Sequence, residues 1–346
     1  MNKRPHVAVV GATGAVGIEM LKTLEKRNFP VGKLTLLASA RSVGKKLNFR
    51  GKDVVVEELT RDSFAGMDIA LFSAGGSISK EFAPIAAKAG CVVVDNSSAF
   101  RRDAEIPLVV SEVNPEALEG HKGLIANPNC STMQLMVALK PIYDAAGIDR
   151  LNVSTYQSVS GTGVKAVKEL EDQTRAALDG DPLPDPTIYP HHIAFNVLGG
   201  AGNFPDGDDH TDEERKMMFE TRKILGDESI KIAVTCARVP VRSSHSESVN
   251  VQTRDPLSAE EARALLEGAP GVEVVDDPPS HGYPTARAAA GRDEVFVGRI
   301  RRDQSHPRAL NLWVVSDNLL KGAATNAVQI AEVLHARGLI HVRAAV

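Results

Sequence analysis

The chain has 346 residues, 43% hydrophobic and 24% charged, which suits a soluble globular protein with room for two domains and a sizeable core. Its net charge is −4 with no strongly basic block, so neither nucleic-acid nor anionic-membrane binding is expected. Three cysteines exclude a disulfide framework and fit a reducing compartment, and no apolar stretch approaches the length of a membrane span.

Residues 1–5 pass straight into a strand-like segment, which leaves no room for a signal peptide, so a cytoplasmic protein is expected. His6–Val10 predicts a strand, followed by a glycine turn and a helix over 18–26. Further strands at 34–38, 54–57, 69–73, 92–95 and 124–127, with a helix at 80–88, imply a parallel sheet covered on both faces. Residues 1–130 therefore read as a doubly wound, Rossmann-type α/β domain.

The turn between first strand and first helix is Gly11-Ala12-Thr13-Gly14-Ala15-Val16-Gly17. Glycines in that context permit a tight turn and close approach of a pyrophosphate to the helix N-terminus. The spacing is GxxGxxG rather than GxGxxG, and the plainer alternative is a glycine-rich turn without a ligand. The second strand ends Ala38-Ser39-Ala40-Arg41-Ser42, with no acid to accept from a free ribose 2′-hydroxyl. Arg41 would pair with a 2′-phosphate and Ser39 and Ser42 could donate to it, which favours NADP over NAD. Cofactor contacts are expected at Gly11, Thr13, Gly14, Ala15, Val16, Ser39, Arg41 and Ser42, at Ser73, which ends the 69–73 strand, and at Gly75 just beyond it.

Cys130 sits in Asn127-Pro128-Asn129-Cys130-Ser131-Thr132, where a loop becomes a helix. The run 133–139 has few polar residues and no breaker before Pro141, so it reads as buried helix. A thiol in a first helical turn faces unpaired backbone N–H groups and the positive dipole end, both of which favour thiolate. The same N–H groups can hold an oxyanion. The competing reading is a small buried hydrophobe, which suits Cys91, opening one apolar strand, and Cys236, inside another. His191-His192 lies in a Pro-flanked loop without a metal-ligand partner, and no metal site is expected.

Beyond Cys130 the runs at 151–159, 230–241, 248–253, 295–300 and 309–316 predict a mixed, largely antiparallel sheet. Helices at 164–178, 213–225 and 259–267 would cover one face of this second α+β domain, spanning 131–317. Polar, Pro/Gly-rich stretches at 179–190 and 199–212 read as long loops. Asp317 could cap a last helix, 318–335, which would pack back on the first domain and complete it through 318–340.

Five segments read together narrow the reading: Asn96-Ser97-Ser98-Ala99-Phe100-Arg101, Asn127 to Thr132, Tyr156 to Gly163, Arg238 to Glu247 and Asp317 to Ala323. In order, over essentially the whole chain, they resemble the aspartate-semialdehyde dehydrogenase family. The resemblance implies reversible, NADPH-dependent reduction of L-aspartyl-4-phosphate to L-aspartate-4-semialdehyde and phosphate, on the route to lysine, methionine and threonine. It implies that Cys130 is the nucleophile and His245 the acid/base, with Gln157 near the thiol, Arg238 on the substrate carboxylate and Arg101 on the phosphate. Glu213 and Lys216 match a Glu-x-x-Lys pair for the substrate amine and phosphate, while Ser160, Gly161 and Asn318 would flank the nicotinamide. A homodimer or homotetramer is also implied.

The chemistry needs these residue types. A thiolate can displace phosphate from an acyl phosphate and leave a thioester for hydride reduction. Proton movement calls for a group with pKa near neutrality, which histidine supplies without large perturbation. Arg238 and His245 are seven residues apart, so one unbroken strand would send them to opposite faces, although Pro240 and residues 242–244 should interrupt it. Two rivals remain: an N-acetyl-γ-glutamyl-phosphate reductase, whose acetylated amine would leave Glu213 without a cation, and a non-catalytic NADP-binding sensor.

Overall fold

The computed structural model describes residues 4–340; part of the N-terminal segment read against a signal peptide, residues 1–3, lies outside the described residues. The chain forms two compact units, one built from residues up to 129 together with those from 323 onward, the other from 130–322.

The first unit contains β1 (His6–Val10), α1 (Ala15–Lys26), β2 (Lys33–Ala38), β3 (Lys46–Phe49), β4 (Lys52–Glu58), β5 (Ile69–Phe72), α2 (Gly76–Lys88), β6 (Val92–Asp95) and β7 (Leu124–Ala126). Its sheet runs β3-β4-β2-β1-β5-β6-β7. All neighbours pair in parallel except β3 with β4. The doubly wound class therefore holds, with an antiparallel edge hairpin that hydrophobic spacing did not reveal. Arg50 and Gly51, both at positive φ, make its turn, and Asn48 Oδ1 accepts from the Gly51 N–H. The central strands are buried on both faces, which is why they read as continuous apolar runs.

The second unit contains α3 (Cys130–Ala146), β8 (Ile148–Gln157), α4 (Val164–Asp179), α5 (Asp212–Leu225), β9 (Lys231–Arg238), β10 (His245–Thr253), α6 (Ala259–Glu267), β11 (Val272–Val274), α7 (Ala286–Ala289), β12 (Val295–Arg302) and β13 (Ala309–Ser316). Its sheet runs β11-β12-β13-β10-β8-β9, antiparallel except for β8 with β9 and β11 with β12. One face is covered by α3, which packs on β8, β10, β12 and β13, and by α5, which packs on β9 and α3. The helix of α3 continues through Pro141, because Ile142 and Ala146 beyond it are buried like Leu139 before it. Strand β10 begins at His245 rather than at 248, directly after Ser244, whose φ of 73° turns the chain into the sheet.

The chain then returns to the first unit as α8 (Thr325–Ala336). The turn before it, Leu320–Ala324, is π-helical rather than the α-helix expected, and Asp317 Oδ1 accepts from the Leu319 N–H at 2.9 Å. Within that unit, Val328, Ala331 and Leu334 of α8 join Met20, Leu21 and Leu24 of α1 in one apolar core. A bidentate Arg27–Glu332 pair, 2.9 and 2.7 Å, fastens the same two helices.

Candidate active site

In the second unit, strand pairing sets the site. Ser316 pairs with His245, and Gln157 with Arg238. Because Ser246 pairs with Tyr156, His245 stands level with Gln157. Four strands thus deliver Ser316, His245, Gln157 and Arg238 as one row of buried polar side chains on the helix-covered face. The next row down is Val314, Glu247, Thr155 and Cys236, and the third, Leu312, Val249, Val153 and Val234, is wholly apolar. Arg238 and His245 end up on one face because they belong to different strands, so parity along a single strand does not apply.

Ser158 ties this row together. Its backbone N–H donates to His245 Nδ1 at 3.0 Å and its carbonyl accepts from Arg238 Nη1 at 2.7 Å. An amide has only a hydrogen to offer, so Nδ1 must present its lone pair and the neutral ring carries its proton on Nε2. Complete burial, and then the Arg238 charge, push the His245 pKa down to about 3. The histidine expected to titrate near neutrality is therefore a neutral N–H donor. Its Nε2 has no protein partner, and Gly161 keeps the approach open: a Cβ there would lie 3.2 Å from Nε2 and 3.3 Å from Arg238 Nη1. Asn318 braces the surrounding turn, with Oδ1 accepting from Ser158 Oγ, Ser160 Oγ and the Ser244 N–H at 3.1, 3.1 and 2.9 Å.

Gln157 reaches the other way. Its Nε2 donates to Glu213 Oε1 at 3.0 Å and its Oε1 accepts from Thr155 Oγ1 at 3.1 Å. Glu213 and Lys216 do share a face of α5, with Lys216 Nζ 3.3 Å from Glu213 Oε2 and 2.9 Å from Asp212 Oδ2. Burial works against the lysine charge, yet Glu213 and Asp212 hold its pKa above the ordinary value. A Thr211–Glu214 capping box starts α5 at the register this requires.

Cys130 is the first residue of α3 and half-buried, whereas Cys91 and Cys236 are buried. One turn on, Gln134 Oε1 accepts from Ser316 Oγ at 2.8 Å, which anchors the helix start to the polar row. Gly322 lies against the nucleophile candidate, since a Cβ there would sit 2.8 Å from Cys130 Cβ and 3.6 Å from Asn318 Cβ.

The remaining candidates belong to the first unit. Gly11, at φ 83°, passes so close to β5 that a Cβ would strike the Ser73 carbonyl, with its carbon 2.7 Å away. Gly17 packs equally tightly on the same loop, with Ala12 Cα at 2.9 Å, while a Cβ at Gly14 would meet only the Gly11 carbonyl oxygen, 3.2 Å away. Ala15 and Val16 open α1 behind them. Thr13 Oγ1 lies 3.2 Å from Ser42 Oγ, bringing the loop to the turn after β2 where Ser39 and Arg41 are exposed. Gly75, at φ 88°, precedes α2. Arg101 is mostly buried, and its Nη2 donates to the Asn96 carbonyl at 2.8 Å. Among the described residues no group of His, Cys, Asp and Glu could hold a metal ion.

Family models match in the same two parts: a semialdehyde dehydrogenase NAD-binding domain over residues 6–121 and a semialdehyde dehydrogenase dimerisation domain over 139–321. The aspartate-semialdehyde dehydrogenase of Aquifex aeolicus is 58% identical, over 97% of this chain and 99% of its own. The chain belongs to the aspartate-semialdehyde dehydrogenase family. A crystal structure of the Vibrio cholerae enzyme II complexed with ASA superposes with TM-score 0.93 at 52% identity, covering 96% of this chain and 98% of that one. The Candida albicans enzyme, solved with NADP, gives TM-score 0.76 at 28% identity, covering 98% and 100%. The family resemblance read from the five motifs is thereby confirmed, as is the α/β nucleotide domain followed by an α+β domain.

Two residues of the candidate site were given no role by the sequence reading, although both lie inside segments it singled out. Ser158 works through its backbone, which a side-chain reading does not record, and its signal was its place beside Gln157 in the Tyr156–Gly163 segment. Gly322 matters through a close approach, visible only once α3 and the 317–324 turn are packed.

Proposed function

We propose that the chain reduces L-aspartyl-4-phosphate to L-aspartate-4-semialdehyde with NADPH, reversibly, through a thioester on Cys130. The polar row Ser316–His245–Gln157–Arg238, lying under the start of α3, carries this reading. Cys130 attacks the acyl carbon, a carbon–sulfur bond forms, and phosphate leaves. NADPH, when bound, supplies the hydride that reduces the thioester. The tetrahedral oxyanion then collapses to aldehyde and returns the thiolate. First-turn amides of α3 and the His245 Nε2–H are the donors for that oxyanion. A base role for His245 would need the proton on Nδ1, against the Ser158 amide. His245 is therefore assigned as a neutral electrophile rather than a titrating base.

Arg238 Nε, buried without a partner, is a donor for the substrate carboxylate, and the buried Glu213 carboxylate is assigned to the ammonium. Lys216 and Arg101 are assigned to the phosphate. The tightly packed glycine turn before α1, the Thr13–Ser42 contact and exposed Arg41 fit an NADP phosphate set. Exposed Phe195 (69%) and Val197 (61%), within the region matched by the dimerisation-domain model, support a homodimer. The deciding experiment is the reverse assay with semialdehyde, NADP and phosphate: Cys130→Ala should abolish turnover, and oxidation independent of phosphate would defeat the proposal.

A further inference from the structure

The 181–211 stretch between α4 and α5 has no regular secondary structure, yet it is gripped at two points from one face of α4. Glu169 Oε2 accepts from the Thr187 N–H, the Thr187 hydroxyl and the Ile188 N–H at 2.7, 2.7 and 2.8 Å. One turn later, Gln173 Oε1 accepts from the Ile193 and Ala194 N–H groups at 2.9 and 3.3 Å. Both side chains are nearly or fully buried, so these bonds form away from water, where satisfying backbone donors matters most. Between the two grips lies Tyr189. Its hydroxyl donates to Thr162 Oγ1 at 2.9 Å, and its ring centre lies 5.9 Å from the Arg238 guanidinium carbon. Thr162 closes the short 3-10 turn Val159–Thr162 that holds Ser160 and Gly161.

We propose that Tyr189 is a positioning residue for carboxylate recognition, presented to Arg238 by a loop that Glu169 and Gln173 clamp from α4. The inference rests on the carboxylate role assigned to Arg238 above. A guanidinium is planar, and its selectivity for carboxylate depends on the plane in which its donors lie. The Ser158 carbonyl fixes one edge of Arg238, and the Tyr189 ring supplies a second, cation–π constraint. Without the ring the arginine keeps its charge but loses its orientation.

The test compares L-aspartate-4-semialdehyde with 3-aminopropanal, the same aldehyde lacking the carboxylate, in the reverse assay. Tyr189→Leu should raise KM for the semialdehyde about tenfold with kcat within about twofold, and leave aminopropanal unchanged, so the preference falls about tenfold. Tyr189→Phe, which keeps the ring, should retain most of the preference. Glu169→Gln should move it in the same direction as Tyr189→Leu. Equal losses on both aldehydes, or none, overturn the proposal. Arg238→Lys separates the two levels: if it leaves the preference intact, the carboxylate role and the proposal both fail. If it collapses the preference while Tyr189→Leu does not, only the Tyr189 assignment fails.

Discussion

Gly322→Ala isolates the placement of the nucleophile from everything else. The new methyl carbon would sit 2.8 Å from Cys130 Cβ and 3.3 Å from Cys130 Cα. Carbon pairs settle at about 3.5–4.0 Å, so Cys130 and the methyl must separate by about 0.7–1.2 Å. The backbone at 322 is outside the left-handed region and the turn is helical, where alanine is favoured over glycine by about 1 kcal/mol. Stability should therefore change little while geometry shifts, and a 1 Å misplacement of a reacting group costs on the order of a hundredfold. The assay is kcat in the phosphate-dependent reverse reaction, alongside Tm and the rate of Cys130 alkylation. Gly199→Ala, where a methyl meets nothing within 4 Å, is the control. A Gly322→Ala enzyme with full kcat and unaltered Cys130 reactivity would refute the reasoning.

His245 should stay neutral through the physiological range. Burial holds its folded pKa at about 3 against 6.5, so the stability it confers is present above pH 6.5 and declines as pH falls toward 3. An NMR titration showing a His245 inflection near 6.5 would contradict this. Glu247 is fully buried beneath the polar row, with no well-aligned partner for either oxygen; burial raises its pKa well above the carboxylate range, only partly opposed by the Gln134 amide. The folded chain then keeps a proton that the unfolded chain releases, so this acid destabilises increasingly as pH rises. Glu247→Gln should gain about 1.4 kcal/mol for each pH unit over which that difference persists. A gain equal at pH 5 and pH 8 in denaturant titrations would exclude it. Arg41→Ala should raise KM for NADP about tenfold or more and leave KM for NAD nearly unchanged, as loss of a charge-assisted contact requires. Equal effects on both cofactors would remove the 2′-phosphate assignment.

The parts legible in the sequence are those whose physics is local. The glycine turn after β1, the thiol at the first residue of α3, the apolar runs of the parallel sheet and the shared face of Glu213 and Lys216 all follow from neighbours a few residues apart. The β3–β4 hairpin was missed because Arg50-Gly51 carries no Asn-Gly or Asp-Gly signature, and how far α3 runs past Pro141 depends on burial that cannot be read locally.

By itself, then, the sequence determined the family, the two-part fold and which residue types were available for thiol chemistry and anion binding. Only the tertiary structure decided which of them share a row. Gln157, Arg238, His245 and Ser316 are separated by up to 159 positions and meet through strand register alone. It also decided the state of His245, because desolvation and tautomer are set by everything packed around the ring rather than by the residues beside it in the chain.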